Sequence, residues 1–168
     1  EEYPLNVPSE KRVVSKLEKL VKELEECGSA ATAKKVFKTF NKYMNCLVTD
    51  MGIITVRYTL NSADPVYKKA QEKLDELSPI ISNYSTDFEK ILLKASYRKE
   101  LEKDFGEHLF KMYEVSQKCF SDKIIADLVE ENKLTSKYEE ILATAEIEFK
   151  GEKYNLSQMN KFLSDADR

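Results

Sequence analysis

Four glycines and four prolines are all the chain breakers in 168 residues, eight where ordinary usage would give about twenty. Between them run long stretches in which apolar residues recur every three or four positions. Charged residues make up 34% of the chain, against about 25% in an average protein. Few breakers and many charges predict long helices with solvated faces. The same arithmetic excludes an all-β sandwich, a collagen-like chain, a low-complexity linker and a disulfide scaffold. The expected fold is mostly α, a multi-helix bundle, with one small β-hairpin near the C-terminus.

The spacing predicts helices over roughly 9–27, 30–61, 65–95, 97–118, 122–131 and 136–144 in a single helical domain spanning 1–168. In the first, Ser9 is the expected cap, and Val13, Leu17, Leu20 and Leu24 form the apolar stripe. Gly28 is the expected left-handed residue at its end. Ser29 should cap the second, whose later half, Cys46 to Leu60, is apolar nearly all round and so expected to be buried on every side. Asn61-Ser62-Ala63-Asp64-Pro65 stops it and restarts the chain, with Asp64 as cap and Pro65 at the first helical position. Ser78-Pro79 implies a kink or a fresh start within the third. Ser96, Ser121 and Thr135 or Ser136 are expected to open the next three.

The helical period breaks after residue 144. Ala145-Glu146-Ile147-Glu148-Phe149 alternates, Lys150-Gly151 reads as a turn, and Glu152-Lys153-Tyr154-Asn155-Leu156 alternates again. Pairing Phe149 with Glu152 sets Ile147 opposite Tyr154 and Ala145 opposite Leu156, keeping the apolar set on one face. The expected hairpin thus covers 145–156 and should pack on the helices. Ser157 should cap a short helix through Phe162. Ser164 to Arg168 reads as the opening of another element, so the chain is expected to be cut from a longer one.

Net charge is −3, with both signs mixed along the chain, which lacks the footprint of a nucleic-acid binder. No apolar run reaches the roughly 18 residues that a bilayer crossing takes. Glu1-Glu2-Tyr3-Pro4 has neither the basic start nor the apolar stretch of a signal peptide. Cys27, Cys46 and Cys119 are odd in number and far apart, which fits reduced thiols. A cytoplasmic location, with no nucleic-acid or membrane partner, is the expectation.

Catalytic chemistry is hard to assemble from these residues. His108 is the sole histidine, so the common histidine-rich metal sites have no second ligand; a half-buried packing or capping role is expected for it. Glu107-His108-Leu109 does not match H-E-x-x-H. Glu130-Glu131 and Glu139-Glu140 are adjacent on a helix, where side chains diverge, and read as solvated faces. The nine tyrosines sit mostly with aliphatic residues at helical spacing. Gly28, Gly52, Gly106 and Gly151 are isolated, so no phosphate-cradling loop forms. No catalytic, cofactor-binding or metal-binding residue is assigned in this chain.

Several runs nevertheless resemble the amino-terminal part of oligoendopeptidase F, in the thimet-oligopeptidase-like superfamily of zinc metallopeptidases. Arg57 to Tyr67 resembles the family's helix–turn–helix with its R-x-S-hydrophobic-D-T-x-D pattern. Glu76-Leu77-Ser78-Pro79-Ile80 is similar to E-N-S-P-L, and Arg98 to Gly106 to a helix ending in F-G. The most specific match is Asp127 to Tyr138 followed by Ile147 to Gln158, where the family shows E-E-N-x-L-x-S-x-Y and I-E-F-x-G-x-x-Y-N-L-S-Q. Asp167-Arg168 resembles the D-R opening the next helix.

The resemblance implies a helical channel wall or lid of a cytoplasmic zinc oligopeptidase that hydrolyses short peptides. Its partners would be its own downstream catalytic domain and, in the parent protein, peptide substrates. In that family two histidines and a later glutamate hold zinc and the motif glutamate activates water; none maps onto this chain. The fragment is therefore expected to be inactive alone, with zinc belonging to the parent. The alternative is a stand-alone, non-catalytic helical interaction module. The all-round apolar stretches also predict that the fragment self-associates at high concentration or binds a hydrophobic dye.

Overall fold

A computed structural model of the chain describes residues 3–119 and 124–163. Its elements are α1 (Glu10–Glu25), α2 (Ala30–Leu60), α3 (Pro65–Lys94), α4 (Arg98–Phe105), α5 (Glu107–Cys119), α6 (Ile125–Thr144), β1 (Ile147–Phe149), β2 (Glu152–Tyr154) and α7 (Leu156–Leu163). The mostly α class with one antiparallel two-stranded hairpin is as expected. No described helix is long and apolar enough to cross a membrane.

Helix α3 is the central rod, touching α1, α2, α5 and α6. The α1 stripe Val13, Leu17, Leu20 and Leu24 is buried as its spacing requires. It meets Phe37, Phe40 and Leu47 of α2 and Leu77, Ile81, Phe88 and Leu92 of α3 in the main core. Phe40 stacks on Phe88 with ring centroids 3.9 Å apart, and Phe37 lies 4.4 Å from Phe105 of α4. Ile54, Ala70 and Leu74 form a smaller second core, against which Leu5 packs.

Two helix starts behave as read. The Ser29 hydroxyl accepts from the Thr32 N–H at 3.3 Å, and the Asp64 carboxylate accepts from Val66 and Tyr67 at 2.8 and 3.3 Å, with Pro65 next in line. Others differ. Ser9 sits at the cap of α1 without a side-chain bond. Gly28 does not enter the left-handed region; α1 has already ended, with the Glu26 and Cys27 amides bonded to the Lys22 and Leu24 carbonyls. Tyr97, not Ser96, holds the cap position of α4. Ser121, and the element expected from Ser164 to Arg168, lie outside the described residues.

The helix expected over 97–118 is broken at Gly106, whose φ of 90° and ψ of 142° suit glycine alone. Conversely, the helices expected over 122–131 and 136–144 are one, α6. Ser136 does not cap a new start because its hydroxyl is committed to Asp75 of α3. Helix α3 runs uninterrupted through Pro79. The stretch expected to be buried all round in α2 is not: Cys46, Val48, Val56 and Leu60 are exposed.

The hairpin has the expected register, with Ile147 opposite Tyr154 and Phe149 opposite Glu152. The ladder stops there, leaving Ala145 and Leu156 outside it. Lys150 and Gly151 both have positive φ, 52° and 82°, as a two-residue hairpin turn of matching twist requires. Its apolar side does not reach the bundle core. Instead Phe162 of α7 lies 4.9 Å from Phe149 and 5.0 Å from Tyr154. The cap of α7 is Asn155 rather than Ser157. Its side chain accepts from the Gln158 amide at 2.8 Å while the Gln158 side chain accepts from the Asn155 amide at 2.9 Å, a reciprocal capping box.

Candidate functional site

A polar seam lies between α3 and α6. It begins with Pro79, which has no N–H to give the Asp75 carbonyl one helical turn earlier. The side-chain amide of Asn132, on α6, donates to that carbonyl at 3.4 Å. Beside it Ser136 Oγ donates to Asp75 Oδ2 at 2.7 Å, and Gln71 Nε2 donates to Oδ1 at 2.8 Å. The Tyr58 hydroxyl of α2 donates to the Ser136 carbonyl at 2.9 Å. Two ion pairs flank this centre: Lys68 with Glu140 at 2.6 Å, and Lys133 with Glu76 at 2.8 Å. Tyr58, Lys68, Asp75, Lys133, Ser136 and Glu140 line a cleft of about 460 Å³.

Burial pushes the Asp75 carboxyl above its ordinary range, against the lowering effect of its bonds from Ser136 and Gln71. Lys68 is raised first by its bond to Glu140, and Lys133 by its bond to Glu76. Tyr58 is raised by burial and then by the charge of Glu140. Both Asp75 oxygens are engaged and Ser136 gives its proton to one of them. The arrangement is an attachment that seats α6 on α3.

Asn132, Ser136 and Glu140 recur every four residues, a polar stripe at helical spacing visible in the sequence. In the sequence Glu140 reads as part of a solvated face and Ser136 as a helix start, and only α3 makes the row a contact. Asp75 has no such signal, since its burial comes from α6 closing over it.

The residues weighed as chemical candidates are scattered. His108 is exposed on α5 rather than half-buried. Cys46 is exposed, and the partly buried Cys27 thiol bonds the Glu23 carbonyl at 3.2 Å; the side chain of Cys119 lies outside the described residues. Glu139 and Glu140 part as expected, Glu140 to Lys68 and Glu139 to a neighbouring cleft. Tyr113 is buried enough to be pushed up to about 12. Among the described residues no group of three or more His, Cys, Asp or Glu is placed to hold a metal ion, so they do not fit a zinc site.

The family model for the peptidase M3 N-terminal domain matches residues 1–120. The chain belongs to that family. Among solved structures, this M3 N-terminal domain is similar to PZ peptidase A, solved with an inhibitor, at TM-score 0.93 and 30% identity over 99% of its length. It is likewise similar to an oligoendopeptidase F solved at 3.1 Å, at TM-score 0.92, 30% identity and 99% of its length. An oligoendopeptidase F from Bacillus anthracis follows at TM-score 0.89, 31% identity and 96%. The domain spans only 29 to 30% of the length of these three chains. A comparison with curated protein sequences gives no match. Helix α6, the hairpin and α7 lie beyond the residues that the family model matches, yet within those that superpose on PZ peptidase A.

Proposed function

We propose that the domain is the amino-terminal helical wall, or lid, of a channel in a cytoplasmic zinc-dependent oligopeptidase. In this reading a catalytic domain further along the polypeptide hydrolyses short peptides. What carries it is the extent of the likeness: 99% of the chain superposes at TM-score 0.93 on 30% of PZ peptidase A. Helices α2 and α3, of 31 and 30 residues, are rods of roughly 45 Å at about 1.5 Å per residue. Such rods suit a rigid wall. Zinc and its ligands would belong to the catalytic domain, and the 168-residue chain alone would cleave nothing.

The test is expression of the polypeptide encoded by the full reading frame around this chain, assayed on quenched peptides of graded length. The expected result is cleavage of short peptides, lost on chelation and restored by zinc, with no cleavage by the 168-residue chain. A full-length polypeptide that hydrolyses no peptide would overturn the reading in favour of a non-catalytic interaction module.

A further inference from the structure

The later half of helix α6 is seated the wrong way round for a surface helix; in the earlier half Ile125, Leu128 and Val129 are half-buried. Its polar stripe of Asn132, Lys133, Ser136 and Glu140 faces α3, each side chain bonded there. Its apolar stripe faces out: Leu134, Tyr138, Ile141 and Leu142 are 60%, 61%, 57% and 40% exposed. None of its residues is buried. A helix at a finished protein surface shows the opposite arrangement, apolar face to the core and polar face to water. The apolar stripe also continues beyond α6. Leu142 and Ala143 line a cleft of about 380 Å³ together with Leu156 of α7 and with Thr59 and Ser62.

Taking the chain as the amino-terminal part of a longer peptidase, as proposed above, we infer that the outward face of α6 is where the remaining polypeptide docks. The polar seat on α3 fixes the helix, and Leu134, Tyr138, Ile141 and Leu142 form the apolar contact. One observation favours this occupant. The solved relatives superpose on α6 and α7 within chains of which this one spans only 30%, so polypeptide is at hand to cover the face. A second copy is the competing occupant, since an antiparallel pair of α6 helices centred on Tyr138 would set Lys137 of each against Glu139 of the other.

The experiment compares two single-cysteine probes in the full-length polypeptide, Ile141→Cys on α6 and Lys19→Cys on α1. Maleimide labelling is read peptide by peptide, so the native thiols do not interfere. The Lys19 side chain is 68% exposed and serves as the open reference; neither position lies in the core, so both variants keep the fold. Ile141→Cys is expected to react about tenfold more slowly than Lys19→Cys, at every protein concentration. Equal rates overturn the inference. So does protection that appears only as concentration rises, which assigns the face to a second copy. Peptide cleavage is measured on the same preparations. A polypeptide that shields position 141 but hydrolyses nothing keeps the docking face and removes the enzymatic reading; one that hydrolyses peptides with position 141 open does the reverse.

Discussion

The Asn132 side-chain amide lies 3.4 Å from the Asp75 carbonyl, the acceptor that Pro79 leaves without a helical partner. A break in the hydrogen-bond ladder of one helix thereby becomes the seat of another. The coupling can be measured. Asn132→Ala is expected to cost about 0.5–1.5 kcal/mol, the usual worth of one hydrogen bond. In a Pro79→Ala background, where residue 79 regains an N–H for that carbonyl, the same change should cost less. Urea melts of the four proteins give the interaction energy. Additive costs would show that the proline and the asparagine act independently.

Stability should respond to acid through Asp75. Burial raises its pKa above the ordinary 3.8, so the folded state takes up the proton before the unfolded chain does. Its contribution is fully present below 3.8 and is lost as the pH rises through the raised value. Wild type should therefore gain stability relative to Asp75→Asn as the pH falls from neutrality towards 3.8. Denaturant melts of both proteins across that range give the difference, which isolates Asp75 from Glu89, another carboxyl raised by burial. A difference that shrinks on acidification would contradict the assignment.

Salt should loosen α6 selectively. Its ion pairs, Lys68–Glu140 and Lys133–Glu76, are part-exposed and open to screening. The α1–α3 core is apolar and is not. Hydrogen exchange of α6 amides is expected to quicken with added sodium chloride while that of α1 stays level. Equal acceleration in both would mean global unfolding instead.

The hairpin turn separates two substitutions. Gly151→Val places a β-branched residue at φ 82°, and should cost roughly 1–3 kcal/mol of local stability. Lys150→Gly relieves a lysine held at φ 52° and should raise amide protection in β1 and β2. Exchange of the strand amides reports both, because the hairpin packs on α7 and a global melt would register it weakly.

In the core, Phe88 is 1% exposed and stacked on Phe40. Phe88→Ala should cost about 3–5 kcal/mol. Leu134→Ala, on the open face of α6, should change the stability of the 168-residue chain by less than about 0.5 kcal/mol. Urea midpoints compare the two, and similar losses would place Leu134 in a core.

Local rules decided much of this protein from its sequence. The caps at Ser29 and Asp64, the α1 stripe and the hairpin register each depend on residues within a few positions of one another. The family resemblance rests on such runs too, above all Ile147 to Gln158. What local rules could not decide is which face of a helix turns inward. Periodicity split α6 into two helices, 122–131 and 136–144, and left their partner unstated. Tertiary structure made them one and turned the polar face of its later half inward, because α3 offers a buried carboxylate at Asp75 and a carbonyl that Pro79 leaves free. That choice kept α6 whole at Ser136, buried Asp75 and left Tyr138 and Ile141 facing water. Each outcome depends on residues some sixty positions apart, where no spacing rule reaches and only packing brings them together.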